Sequence, residues 1–351
     1  MKVIEFNDRA ITLGDEHGII LRSPGFALAT GKTLQLGETA QHQARLHPTS
    51  SFNKFWQDLS LESIPHNAAV RHNADLAYAH LKYIAEAAEL EGDTVFAVPG
   101  NFTRQQLAIL LGLAKQTPLK PVGIIDSALA TVIGDASGSS IVYADIQLHQ
   151  VLLSHLIPDG DHLKLQAVVQ IPGVGSQDFT EQMMQLATTL FIQQCRFNPQ
   201  HNAESEQQLC NQLPHWLSDY DDSATAKSEN IVLELKTTSQ VHTAKLPRES
   251  LLQTLRSNYQ KIDQHIEALA TPATTPTTQL LISPALAALP ALSHSLTRTA
   301  TVLDEPGLSR NCVALAAHIR SADTDAMTLI NTLPHTPQTL TNTEKPNTIR
   351  H

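Results

Sequence analysis

Cysteine is scarce in this 351-residue sequence, and its placement excludes the common cysteine-based sites. Three are present, far apart along the chain: Cys195, Cys210 and Cys312. No C-x-x-C pair occurs, so neither a zinc site nor a dithiol redox site is indicated. We interpret the three residues as free thiols of a protein in a reducing cytoplasm.

Positive charge is also in short supply. The sequence has 24 Lys and Arg residues against 34 Asp and Glu residues, a net charge of −10. Nucleic-acid binding needs clustered Lys and Arg to neutralise phosphates, and no such cluster stands out, so we expect no nucleic-acid partner. The 17 histidines are scattered and form no H-E-x-x-H pattern, so no metal site is predicted.

Long hydrophobic runs are missing as well. No apolar stretch approaches the ~20 residues that a membrane-spanning helix needs. The chain opens with a short strand-like run, residues 1–6, followed at once by Asn7, Asp8 and Arg9, which is unlike a signal peptide. We therefore expect a cytoplasmic protein without a membrane span. Hydrophobic residues make up 42% of the chain, and a globular chain of this length predicts two domains or lobes.

The hydrophobic pattern of the first half is repeated in outline in the second half. Each half opens with three short apolar runs separated by turn residues, which indicates a β-meander. These runs are 3–6, 10–13 and 18–21, then 140–145, 151–156 and 163–169. Further strands are predicted at 94–98, 122–125 and 279–283, and helices at 67–90, 104–115, 127–133 and 309–320. Alternating strands and helices predict an α/β fold with parallel strands joined by crossover helices.

The same pattern suggests where two lobes would begin and end. The first lobe is predicted to contain residues 1–140 and a returning segment, 309–330, with an outer part at about 31–73. The second lobe is predicted to contain residues 141–308, with an outer part at about 179–270.

Segments along the chain resemble motifs of the DnaK-type heat-shock chaperones, in the family's order. They are Gly37-Glu-Thr-Ala-Gln-His-Gln with His47-Pro-Thr, Ala97-Val-Pro-Gly-Asn-Phe-Thr-Arg-Gln-Gln, Gly123-Ile-Ile-Asp-Ser-Ala-Leu-Ala, Gly173-Val-Gly-Ser-Gln-Asp-Phe-Thr and Leu246-Pro-Arg-Glu-Ser-Leu. Each motif is weak alone, but their order and spacing across residues 1–330 match those of the family. The resemblance implies the two-lobed actin-like ATPase fold, with duplicated sheet-plus-helix domains around a central cleft.

The resemblance covers the family's nucleotide-binding lobes and not its peptide-binding domain. That domain would follow residue 330. Residues 333–351 instead hold few large apolar groups and many Thr, Pro and Asn residues, so we expect a disordered tail there.

A nucleotide site is also implied by the resemblance, but its first glycine-rich hairpin is altered. In the family two such hairpins hold phosphates through backbone N–H groups, with no Cβ in the way. The first reads D-L-G-T-T in the family and Glu5-Phe-Asn-Asp-Arg here. A carboxylate is kept as Glu5, Asn7 takes a glycine position, and Asp8 places negative charge where phosphate would sit.

The second hairpin is altered further. It reads D-L-G-G-G-T in the family and Asp145-Ile-Gln-Leu-His-Gln here. The carboxylate is kept, but the side chains of Gln147, Leu148 and His149 are expected to fill the phosphate space. If Mg²⁺ were bound, Glu5 and Asp145 would be its ligands. Under the hypothesis that we favour below, a protein that has lost its ATPase activity, no metal is expected.

The adenosine side of the implied site is changed in a similar way. The family's V-G-G-S-T-R-I-P appears as Ser283-Pro-Ala-Leu-Ala-Ala-Leu-Pro. Pro284 and Ala285 replace glycines, and Pro284 also lacks a backbone donor. We expect Pro284 and Leu286 to narrow the cleft. The helix that offers Glu, Lys, Arg and Ser to the nucleoside in the family keeps only Ser218.

Some remnants of the family's site are present. Lys54 lies within one residue of the position of the catalytic lysine, and it is either that residue or a solvated lysine. Asp126 or Ser127 stands near the position of the catalytic glutamate. Gly175 keeps one glycine of a third phosphate-facing turn. Trp216 either plugs the cleft or belongs to a core.

These losses lead us to favour a non-catalytic, chaperone-like pseudo-ATPase that acts by binding a protein partner, with no bound cofactor. The identity of that partner cannot be read from the sequence. One alternative is a divergent ATPase that binds ATP and Mg²⁺ through Glu5 and Asp145, with Lys54, Asp126 and Asp145 as its catalytic residues. Another is an actin-like subunit that polymerises.

Overall fold

The chain has a mixed α/β fold, as the sequence pattern predicts. The computed structural model describes residues 1–31, 33–64, 70–90, 92–137, 140–218, 229–238, 240–270, 278–324 and 326–335.

The strands of the described residues are spread along the chain, from residue 2 to residue 334. They are β1 (Lys2–Glu5), β2 (Ile11–Asp15), β3 (Gly18–Ser23), β4 (Ala27–Thr30), β5 (Thr33–Leu36), β6 (Ser51–Phe52), β7 (Asp93–Val98), β8 (Lys120–Asp126), β9 (Ser140–Ile146), β10 (Gln150–Asp159), β11 (His162–Pro172), β12 (Asn230–Lys236), β13 (Val241–Pro247), β14 (Thr278–Ile282), β15 (Ala300–Val302), β16 (Leu329–Ile330) and β17 (Thr332–Pro334).

The helices follow the predicted positions closely in the first half. They are α1 (Gly37–Gln41), α2 (Asn73–Ala87), α3 (Arg104–Ala114), α4 (Ser127–Val132), α5 (Ser176–Cys195), α6 (Ala203–Ser218), α7 (Arg248–Ala270), α8 (Pro284–Ala287), α9 (Leu292–Ser295), α10 (Gly307–Ala314) and α11 (Ala316–Ile319). Thr103 caps α3, because its hydroxyl accepts a hydrogen bond from the backbone N–H of Gln106. Of the helices in the described part of the chain, none is long and apolar enough to cross a membrane.

Two six-stranded sheets share one pattern of connections. The first has the order β16-β8-β7-β1-β2-β3, and the second has the order β15-β14-β9-β10-β11-β17. Each begins with a three-stranded antiparallel meander, β1-β2-β3 or β9-β10-β11. In each the first strand of the meander then pairs in parallel with a later strand, β7 or β14. The meander that the sequence predicts in each half is therefore present.

One hydrophobic core joins the two sheets. Alternate residues of the first sheet point to opposite faces, so Ile4 and Phe96 pack on the outer side while Val3 and Val95 pack on the inner side. The inner side belongs to the same cluster as Ile141 and other residues of the second sheet, together with residues of α4 and α10. The two halves of the chain are thus held together by shared apolar burial.

The end of the described chain differs from the sequence-based prediction. A disordered tail was expected from residue 333, but Thr332–Pro334 form β17 and pair with β11. Leu333 is buried in the core between the sheets, and this burial offsets the entropy cost of ordering a short, Pro-containing strand. Residues 336–351, the rest of the predicted tail, lie outside the described residues.

Gly123 provides a test of how closely the helical layer packs on the first sheet. A Cβ at this position would overlap the carbonyl oxygen of Ile319 in α11. We expect Gly123→Ala to lower the free energy of unfolding by about 1–3 kcal/mol, as overpacking does. The measurement is denaturation by urea.

The matched control is Gly112→Ala, in the exposed part of α3 where a Cβ would meet nothing. That variant should gain about 0.5–1 kcal/mol, because alanine favours the helix over glycine. Equal effects of the two variants would contradict the packing of α11 on β8.

Candidate functional site

Two acidic side chains from corresponding places in the two sheets meet at one cavity. Glu5 ends β1 and Asp145 lies near the end of β9, and both line a cavity of about 150 Å³. Predicted site residues from the other segments line it as well: Asn7, Pro284 and Ala285. The topology therefore brings together the two carboxylates and the segments that the sequence analysis proposed.

The pKa values of the two carboxyl groups are shifted upward. Burial, with repulsion from Asp145 as a second cause, raises the pKa of Glu5 to about 8. Burial also raises the pKa of Asp145, while the positive charge of Arg9 acts in the opposite direction on both groups. Glu5 and Asp145 retain some exposure to the cavity, so water there moderates the cost of charging them.

Arg9 is a site residue that the sequence analysis missed. It lines the cavity with Glu5 and Asp145, and so does Arg22, which pairs with Glu305. A guanidinium beside two carboxylates supplies the positive charge that Mg²⁺ would otherwise supply, and it repels a cation. The carboxylates are suitable Mg²⁺ ligands by type, but with Arg9 among them this site does not fit the ion well.

Asn7 connects the two hairpins directly. We name residues 5–9 the first hairpin and residues 145–150 the second hairpin. The side-chain amide of Asn7 donates hydrogen bonds to Oδ2 of Asp145 at 2.8 Å and to the carbonyl oxygen of Ile146 at 3.0 Å. Asn7, which takes the place of a glycine in the family's hairpin, thus makes side-chain contacts with the second half of the chain.

Asp8 makes the second direct contact between the hairpins. Its Oδ1 accepts a hydrogen bond from the backbone N–H of Leu148 at 2.8 Å, and the residue is only 6% exposed. Burial raises the pKa of Asp8 to about 6, although this hydrogen bond lowers it. A backbone donor of the second hairpin is therefore occupied by a carboxylate of the first hairpin.

The turn that carries Gly175 is hydrogen-bonded to the second hairpin. The N–H groups of Gly173, Ser176 and Gln177 donate to the carbonyl oxygens of residues 147–149 at 2.8–3.1 Å. A Cβ at Gly175 would overlap this backbone. The glycine that the sequence analysis assigned to a phosphate-facing turn thus permits close approach of two backbone segments.

Two of the three substituted side chains of the second hairpin, Gln147 and Leu148, are buried where the two halves of the chain meet. Leu148 is 3% exposed and packs with Phe26, Leu28 and Ala40 of the first half. The Gln147 side chain accepts hydrogen bonds from Asn101 and from Gln150.

The third substituted side chain, His149, is half-buried, and its ring hydrogen-bonds the carbonyl oxygen of Asn53 at 3.2 Å.

Leu286 does not narrow the cleft, contrary to the expectation from the sequence. That side chain and Trp216 belong to a hydrophobic cluster of the second half, because α8 packs on β9 and α6 packs on β12 and α5.

Of the three predicted catalytic residues, Asp145 lines the cavity, whereas Lys54 and Asp126 do not. Lys54 is exposed and lines a different pocket. Asp126 is fully buried and caps α4, where its Oδ1 accepts from the N–H of Leu129 at 2.9 Å. Ser127 is the first residue of α4. The side chain of Ser218 lies outside the described residues. The structure therefore does not bring Lys54 and Asp126 together with Glu5 and Asp145 in one cavity.

In the part of the chain that the structure describes, no group of three His, Cys, Asp or Glu residues is placed to hold a metal ion. No protein-family model and no curated protein matches the chain. The likeness to DnaK-type chaperones therefore rests on the quoted motifs and stays a prediction.

Asp126 makes stability depend on pH. Burial raises its pKa to about 7, above its ordinary value of 3.8, and its Oδ2 has no hydrogen-bond partner among the described residues. Its contribution is fully present below pH 3.8 and is lost as the pH rises through 7. We expect Asp126→Asn to raise stability at pH 8 by on the order of 1 kcal/mol or more, since one unit of pKa shift corresponds to about 1.4 kcal/mol.

The measurement is denaturation of both proteins at pH 5 and pH 8. The variant should lose less stability between these two pH values than the wild type, because Asn keeps the cap and carries no charge. Asp135→Asn, at an exposed position, is the control and should leave the pH dependence unchanged. An unchanged pH dependence in Asp126→Asn would show that Asp126 is not buried as a neutral acid.

Proposed function

We propose that this chain has a two-lobed actin-like ATPase fold of the DnaK type that has lost nucleotide chemistry and acts by binding a protein partner. The shared strand order of the two sheets supports the fold. So does the placement of Glu5 and Asp145 on corresponding strands of the two sheets, where both line one cavity. Fold likeness alone carries no function, so the loss of nucleotide chemistry depends on the contacts of the two hairpins.

The observation that carries the proposal is the direct contact between the hairpins. The Leu148 N–H is a donor of the kind that would hold a phosphate oxygen, and Asp8 accepts its hydrogen bond. A bound phosphate would have to displace a buried carboxylate and face its charge. A charge-assisted hydrogen bond contributes about 1.5–3 kcal/mol, so the loss of this bond alone would weaken a micromolar site by roughly ten- to a hundredfold. Repulsion by the charge of Asp8 would weaken it further.

The size of the cavity supports the same proposal. Its volume of about 150 Å³ is below the ~300 Å³ at which pockets for drug-sized ligands begin.

Farther from the cavity, Arg45 also links the two halves, since its backbone N–H donates to Gln207 at 2.7 Å and its guanidinium pairs with Glu181 and Glu206.

A divergent ATPase is the second candidate, because two carboxylates face one cavity. That reading assigns Mg²⁺ to Glu5 and Asp145. Two observations oppose this candidate: Arg9 lines the same cavity as the two carboxylates, and neither Lys54 nor Asp126 lines it. A protein whose cleft is held shut without nucleotide would present one fixed surface to its partner, so its partner binding should not depend on ATP.

Mg-ATP should not stabilise the protein. At millimolar concentration a micromolar site would add about 4 kcal/mol, which corresponds to a rise of several degrees in Tm. We expect a change of less than about 1 °C, because the hairpin donors are already occupied. The measurement is thermal unfolding followed by circular dichroism, with ATP hydrolysis assayed on the same sample.

Variants identify the source of any shift. A rise in Tm that disappears in Glu5→Ala or Asp145→Ala, but persists in the exposed control Asp159→Ala, would favour the divergent ATPase. A rise that survives all three substitutions would also contradict the proposal and would locate nucleotide elsewhere.

A further inference from the structure

A second cavity lies where the two halves meet, on the other side of the first hairpin. Its volume is about 280 Å³, and it is distinct from the cavity of Glu5 and Asp145. Phe6, Asp8, Trp56 and Asn101 line it from the first half, and Gln170 lines it from the second half. No role in the proposed loss of nucleotide chemistry requires this cavity.

The charge of the cavity has one sign. Among the described residues that line it, the ionisable side chains are two carboxylates, Asp8 and Asp58. Asp8 is 6% exposed, and one of its oxygens accepts from Leu148. A carboxylate has about four acceptor sites, so Asp8 keeps capacity for another donor. Asp58 is exposed, and within the described chain its carboxylate forms no ion pair. Such a lining repels anions and attracts cations.

Acceptors without partners reinforce this preference. Oε1 of Gln57 and Oδ1 of Asn101 are buried and have no hydrogen-bond partner within the described part of the chain, and both residues line the cavity. A buried acceptor left unpaired costs about 1–3 kcal/mol. A ligand rich in N–H donors would remove that cost after a small rotation of the side-chain amides.

Aromatic rings complete the lining. Phe6, Trp56 and Phe102 contribute to it, and the Trp56 Nε1–H already donates to His80 at 3.0 Å. The indole therefore offers its ring and not its donor. Aromatic rings pack against methylene chains and attract cations through their π faces.

We propose that this cavity binds a small organic amine, with one ammonium group at Asp8 and, for a diamine, the second at Asp58. The volume corresponds to about nine molecules of liquid water at ~30 Å³ each, which suits a short aliphatic chain. The amine contacts residues of both halves, including Gln147 and Gln170. The proposal does not rest on the loss of ATP chemistry, and either can fail without the other.

The test is titration calorimetry of the full chain at pH 7.5 with three probes of one length: putrescine, 1,4-butanediol and succinate. Putrescine should bind, while the neutral diol and the dianion should bind at least tenfold more weakly, equivalent to about 1.4 kcal/mol. No heat with millimolar putrescine would overturn the proposal, and so would equal affinity for the diol or any preference for succinate.

Variants then assign the site. Asp8→Asn keeps an acceptor for Leu148 and should weaken putrescine binding at least tenfold. Asp58→Asn, at an exposed position, tests the second carboxylate without disturbing the fold and should weaken it severalfold. Gln170→Trp should block the cavity without a change in charge. The control Asp159→Asn should bind as the wild type does. Unchanged affinity in Asp8→Asn, Asp58→Asn and Gln170→Trp would place the amine elsewhere and overturn the proposal.

Discussion

The hydrogen bond from the backbone N–H of Leu148 to the carboxylate of Asp8 is the contact on which the account of this protein depends. It joins a turn of the first sheet to a turn of the second sheet at a buried place. Asn7 adds a parallel link to Asp145, and the Leu148 side chain packs among residues of the first half. Polar and apolar contacts between the two halves therefore hold the two hairpins against each other.

The shared core makes this closure consistent with the rest of the fold. Val3 and Ile141 belong to one buried cluster with residues of α4 and α10, so the inner faces of both sheets are covered together. Separation of the two halves would expose this apolar surface to water, which costs about 25 cal/mol of free energy for each Å² exposed. In this fold the carboxyl groups of Glu5 and Asp145 lie near each other, and the positive charge of Arg9 partly offsets their negative charge. The pKa values of both carboxyl groups are nevertheless raised.

Much of the fold could be predicted from the sequence, because period-two apolar runs and helix caps such as Thr103 are local signals. The strand β17 could not, since only tertiary burial of Leu333 explains it. Of the site residues proposed from the sequence, Glu5, Asn7 and Asp145 line one cavity in the structure. Arg9 and the partner of Asp8 were missed, because no local pattern says which distant N–H a carboxylate will meet. The direction of Leu286 likewise depends on how α8 packs.

Hydrogen exchange at the second hairpin tests the central claim most directly. Amides that are hydrogen-bonded and buried exchange slowly even when no ligand is present. In nucleotide-free protein, the Leu148 amide should exchange as slowly as the central strands, and Mg-ATP should not change its rate. Fast exchange without nucleotide that becomes slow when Mg-ATP is added would contradict the account, because the hairpin would then be an open phosphate site.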